Sequence, residues 1–234
     1  MSSPACARAQ LLVAHGTRKQ RGVELIGDLA QRVSATLGRQ VHVSFVDVLG
    51  PSPSELLGQM SDHPVVVVPA FLSRGYHVNS DIPEHVAASG HPDVTVTDAL
   101  GPSPQLARVL ADRLVESGWR RDDSVILAAA GTSDPFAQRD LHTTATSLSA
   151  ITGSRVELAY AATGLPRVGH AVAALRRRRG GRVVVVSYLL SDGLFQDRLR
   201  ASGADVVTEP LGTHSGLARL IANRFRRARL PVAA

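Results

Sequence analysis

Residues 11–18 read LLVAHGTR and residues 125–133 read VILAAAGTS, two short apolar runs that each end in a glycine and a hydroxyl residue. Laying the chain on itself puts Gly16 over Gly131, and the match continues outward. VHVSFVDVLGP (41–51) falls on VELAYAATGLP (156–166) at the same offset of 115 residues, and VVVVPAFLSRGYH (65–77) on VVVVSYLLSDGLF (183–195) at 118. Runs this apolar suit parallel strands covered on both faces. Strands are predicted at 10–14, 41–46, 65–68 and 94–97, with helices at 22–37, 53–60, 82–88 and 104–115. The order restarts with strands at 125–130, 156–161, 182–188 and 205–208, and helices at 137–151, 165–177, 194–201 and 215–229. Alternating strands and helices imply a parallel sheet with helices on both faces. The fold expected is therefore α/β in two tandem, internally duplicated domains, each a mostly parallel four-stranded sheet flanked by helices. A boundary within 118–123 gives an N-terminal domain 1–119 and a C-terminal repeat 120–234.

Composition narrows the function classes. The chain has 234 residues, 44% hydrophobic, 20% charged and 4% aromatic, enough for real cores. No apolar run approaches the ~20 residues of a membrane span, and the opening MSSPACARAQ lacks the apolar centre of a secretory signal. A cytoplasmic protein without membrane attachment is expected. The single cysteine, Cys6, excludes an internal disulfide framework and a cysteine-built metal cage. Charge is uneven: residues 1–120 hold 10 basic and 11 acidic side chains, residues 121–234 hold 16 and 9. Nearly all the basic residues are arginine, whose planar fork suits carboxylates and phosphates. Nucleic acid is not expected as a partner, because aromatics for stacking are scarce and no binding motif is present. The phosphate loop GxxxxGK[ST], GxGxxG and GxSxG are all missing. Gly131-Thr132-Ser133 opens a helix and offers a weak backbone site for an anion.

The duplication singles out chemistry. Where one repeat is polar and the other apolar, the shared fold does not require the polar group. His15, Asp47 and His77 stand at or just beyond the ends of the first three strands, over Ala130, Ala162 and Phe195. Ligands of open parallel sheets bind at the carboxyl ends of the strands, so the three converge on one mouth. Two imidazoles and a carboxylate suit Fe(II), Co(II), Ni(II) or Zn(II), or serve as acid–base groups. The loop 71–83, FLSRGYHVNSDIP, adds Arg74 and Asp81. Asp81 with Pro83 reads as a helix start, and Gly75 as a tight turn presenting His77. The other histidines, His85 among them, read as structural.

His15-Gly16-Thr17-Arg18 after an apolar strand resembles the N-terminal motif of the sirohydrochlorin chelatases, the class II, ATP-independent chelatases of sirohaem and cobalamin synthesis. Phe71-Leu72, then Gly75-x-His77-x-x-x-Asp81-Ile82-Pro83, is similar to the family's second motif, and the duplicated layout to its long, two-domain members. The resemblance implies insertion of Fe2+ or Co2+ into sirohydrochlorin, a lyase activity with no tightly bound cofactor. A non-catalytic metal- or tetrapyrrole-delivery protein is the alternative. His15 and His77 fall on the family's metal-binding, proton-accepting histidines; Asp47, where the family commonly has glutamate, would orient a histidine or complete the ligand set. Metal and proton compete for the same imidazoles, so activity is expected to fall in acid. Sirohydrochlorin carries eight carboxylates, which gives the basic second half a purpose as wall of the substrate cleft. Arg18, Arg74 and arginines of the second half are the candidate clamps for its rim. A two-lobed monomer is expected.

Overall fold

The computed structural model describes residues 8–16 and 20–228. The first repeat runs β1 (Ala9–Ala14), α1 (Gln20–Leu37), β2 (His42–Phe45), α2 (Pro53–Gln59), β3 (Val65–Pro69), a π-helical turn His77–Asp81, α3 (Ile82–Ser89), β4 (Val94–Val96) and α4 (Pro104–Glu116). The second runs β5 (Ser124–Gly131), α5 (Pro135–Thr152), β6 (Val156–Thr163), α6 (Val168–Arg179), β7 (Val183–Tyr188), α7 (Leu194–Arg200), β8 (Val206–Val207) and α8 (Ser215–Arg227). Each repeat forms a parallel four-stranded sheet, in the orders β2-β1-β3-β4 and β6-β5-β7-β8.

The pairing registers reproduce the sequence offsets. Leu11 pairs with His42 and Val67 in the first sheet; Ile126 pairs with Glu157 and Val185 in the second. Valine-rich central strands are buried on both faces: Val65–Val68 and Val183–Val186 are at most 1% exposed. The switch-point glycines are required by contact. Gly16 and Gly131 have φ of 87° and 112°, and a Cβ on either would meet a backbone oxygen, of Asp47 or Thr163, at 2.1 or 1.8 Å.

Helix starts follow local chemistry. Ser52 caps α2 and Glu55 reaches back to the Ser52 N–H, a complete capping box, with Pro53 in the first turn. Asp134 caps α5 by accepting from the Phe136 and Ala137 N–H groups. That carboxylate fills the helix end which the Gly-Thr-Ser motif had offered to an outside anion.

Two compact units result, and they do not divide where the repeat does. One comprises Met1–Leu100 with Ala218–Ala234, the other Gly101–Leu217, whereas the repeat had suggested a break at 119/120. The terminal helices account for the difference. α4 packs on α5 and β7, and Arg113 donates to the Leu211 carbonyl 3.0 Å away. α8 belongs with the first sheet, where Arg224 donates to the Ala99 carbonyl at 2.9 Å and Arg226 to that of Thr36 at 2.7 Å.

Candidate functional site

The carboxyl end of the first sheet gathers the predicted groups. His15 follows β1 directly and is exposed. Backbone bonds fix the crossing beside it: the Asp47 N–H donates to the His15 carbonyl at 3.2 Å, and Val46 N–H to that of Ala14 at 3.0 Å. His77 comes from the loop after β3. It opens the π-helical turn, closed by the Ile82 N–H on the His77 carbonyl. Such wide turns are rare and recur at functional sites. Gly75 opens the tight turn that presents His77, its carbonyl accepting from the Val78 and Asn79 N–H groups at 3.0 and 2.9 Å, although its φ is not among the positive ones.

The structure brings the two histidines together, with ring centroids 4.4 Å apart and planes tilted by 47°. Phe71 stacks near His77 at 5.7 Å and Tyr76 stands edge-on at 6.1 Å. Behind the ring, His77 Nδ1 lies 2.5 Å from Asp81 Oδ2. An ionised carboxylate only accepts, so Nδ1 carries a proton, and in the neutral ring Nε2 is the nitrogen that keeps its lone pair. Asp81 makes no cap hydrogen bond to the α3 backbone. The helix does start there, with Asp81 at the cap position and Pro83 in the first turn, but the carboxylate bonds His77 instead of the helix end, and the available signal was the i,i+4 spacing of the pair.

Asp47 is exposed and its Oδ1 accepts the Val48 N–H at 2.7 Å, in a turn where Val48 has φ of 69°. Together with His77 and Asp81 it lines a cavity of about 570 Å³, whose wall also includes Glu84 and His85. His85 Nδ1 lies 3.2 Å from Ser54 Oγ, so this histidine, read as structural, belongs to the rim of the site. Among the described residues no set of three histidine, cysteine or acidic side chains is placed to hold a metal. The site thus presents the imidazole pair, leaving further coordination positions of a held ion open. Arg74 is exposed on the loop between β3 and the π-turn. Arg18 lies outside the described residues.

No helix among the described residues is long and apolar enough to cross a membrane. The equivalent mouth of the second sheet has Ala130, Ala162 and Phe195 where the first has His15, Asp47 and His77.

A family model described as CbiX matches the chain twice, over residues 9–117 and 124–228. Sirohydrochlorin ferrochelatase of Priestia megaterium is 24% identical over 237 residues, covering 93% of this chain and 89% of that protein. Sirohydrochlorin cobaltochelatase of Methanothermobacter thermautotrophicus is 29% identical over 126 residues, covering 44% of this chain and 88% of that protein. Among solved structures, SirB from Bacillus subtilis with Fe3+ superposes with a TM-score of 0.85 at 20% identity, covering 94% of this chain and 95% of that one. At that identity the likeness establishes a shared fold.

Proposed function

The chain belongs to the CbiX family, and from that membership together with its histidine pair we propose that it inserts Fe2+ or Co2+ into sirohydrochlorin, as a single chain in the cytoplasm with no tightly bound cofactor. The observation that carries the reading is His15 against His77, with Asp81 fixing the tautomer of the second ring.

Insertion takes one divalent ion and the metal-free macrocycle to the metallated ring and two protons. Neutral imidazoles at His15 and His77 can hold the ion loosely, because two nitrogens leave positions for water and then for the ring. As the ion passes to the macrocycle, the vacated nitrogens can accept the two pyrrole protons. Asp81 keeps Nε2 of His77 available for both tasks. Asp47 lines the cavity that His77 and Asp81 also line, and in this reading its carboxylate is a further acceptor for the ion or a proton. Imidazole and carboxylate ligands accept iron and cobalt alike, so selection between them rests on geometry and supply.

The test is anaerobic. Purified protein is mixed with sirohydrochlorin and either Co2+ or Fe2+, and the visible spectrum of the macrocycle is followed. Wild type should accelerate insertion, and His15→Ala and His77→Ala should each return the rate to that without enzyme. Acceleration that survives both substitutions, or none from folded wild type, would overturn the reading.

A further inference from the structure

The mouth of the second sheet is not blank where the first has its histidines. Three segments leave it, after β5, β6 and β7, and each carries the same combination of an exposed apolar side chain followed by an exposed arginine. Phe136, Leu165 and Leu194 are 56%, 79% and 57% exposed, although large apolar side chains usually find cover. Arg139, Arg167 and Arg198 follow them within four residues and are all exposed.

The arginines are held for use rather than neutralised. Arg139 stands 5.6 Å from the Phe136 ring centroid and Arg198 5.8 Å from that of Phe195, cation–π arrangements in which Arg198 also donates from Nη1 to the Ala161 carbonyl at 3.4 Å and keeps its other N–H groups for a ligand. Among the described residues none of the three is in an ion pair, whereas Arg176, Arg178, Arg182 and Arg200 all pair with carboxylates. Nor does the fold demand them. At the repeat offsets Arg139, Arg167 and Arg198 lie over Glu24, Ser52 and Ser80, and Phe136, Leu165 and Leu194 over Arg21, Gly50 and Tyr76.

We propose that this mouth is a docking surface for the polycarboxylate tetrapyrrole, its apolar side chains against the ring face and its arginines on the rim carboxylates. The proposal rests on the function argued above. β6, β5 and β7 are adjacent in the sheet. At about 4.8 Å per strand they spread the three combinations over roughly 10 Å, the scale of a tetrapyrrole core. Charge complementarity names the occupant: three arginines outside any ion pair among the described residues, one of them steadied by the Ala161 carbonyl, match a ligand with carboxylates all round its edge.

Metal-free sirohydrochlorin is titrated into the full chain and its absorption followed, at low and high salt, alongside the insertion assay. R139Q/R167Q/R198Q should weaken binding at least tenfold, flatten its salt dependence and raise KM. Phe136→Ser with Leu165→Ser and Leu194→Ser should weaken it with the salt dependence kept. R177Q/R178Q/R179Q removes the same charge at the far end of α6 and should leave Kd within twofold. Near-UV circular dichroism checks that each variant is folded. Wild type that binds and metallates the macrocycle while both mouth variants keep its Kd overturns the docking surface alone. Macrocycle binding lost in the mouth variants, with no insertion by wild type, supports the surface and sinks the chelatase reading. No binding by wild type sinks both. A wild-type dimer broken by the serine variant at unchanged Kd, seen by sedimentation, would assign the mouth to a second copy and overturn the proposal.

Discussion

At His77 the chemistry depends on which ring nitrogen keeps its proton. Asp81 decides that from 2.5 Å away, and the carboxylate behind a metal-binding histidine typically contributes 10–100-fold in metal affinity or activity. Asp81→Ala should therefore lower Co2+ affinity and insertion rate by about that factor. Asp81→Asn should fall between, since its amide oxygen can still accept from Nδ1. Isothermal titration with Co2+ and the insertion rate would both report it; equal activity in all three proteins would make Asp81 a bystander. The two histidines were legible because the second repeat offers a reference at each position, alanine or phenylalanine. The partnership of His77 with Asp81 was hidden by a competing local rule, the aspartate-then-proline start of a helix. His85 was hidden too, because a histidine on a helix shows nothing in sequence of which cavity it faces.

Most elements follow from patterns that sequence displays, and their ends from caps. The Ser52–Glu55 box is one case: Ser52→Ala removes the acceptor for the Glu55 N–H and should cost about 1 kcal/mol, read as a lower urea midpoint at unchanged m-value. A second device ties the ends of α6 and β8 to β7. Asp205 accepts the Val183 N–H at 2.8 Å and pairs with Arg176 at 2.9 Å. The backbone hydrogen bond, then the arginine, holds its carboxyl below the ordinary carboxylate range. A depressed folded-state value means that the stability from this group is fully present above about pH 4. It is lost as pH falls through the folded-state value. Urea midpoints measured from pH 6 to pH 2 should drop more steeply for wild type than for Asp205→Asn; parallel curves would show that Asp205 contributes nothing. The π-turn at His77–Asp81 escaped the sequence pattern altogether. Its residues have no periodicity of their own, and one wide hydrogen-bonded ring inside a helix start changes no apolar spacing.

Over the whole molecule the sequence displays the duplication but not the assignment of the last helix of each repeat. The apolar stripe of α8 shows that one face is buried, and says nothing of which sheet buries it. In the structure Leu220, Ile221 and Phe225 of α8 are at most 4% exposed, and Ala218–Ala234 belong to the unit of the first sheet. Burial of three such side chains stabilises by about 1.5–3 kcal/mol each, comparable with the ~5–15 kcal/mol that holds a whole domain folded. Residues 1–119 alone would keep the histidine site and its sheet yet lack the helix that covers it. They would carry instead α4, whose partners α5 and β7 are missing. Arg113 of α4 and Arg224 of α8 make equivalent bonds to loop carbonyls, so α4 is the natural substitute. Expressed alone, 1–119 should therefore be poorly folded when dilute and gain near-UV dichroism only as it self-associates through α4, with sedimentation tracking the spectrum. Supplying residues 120–234 in trans should restore α8 and, with it, both the fold and the insertion activity. A dilute, monomeric 1–119 fragment that unfolds cooperatively at the midpoint of the full chain would mean that the sheet and its first three helices suffice, with α8 an accessory to them.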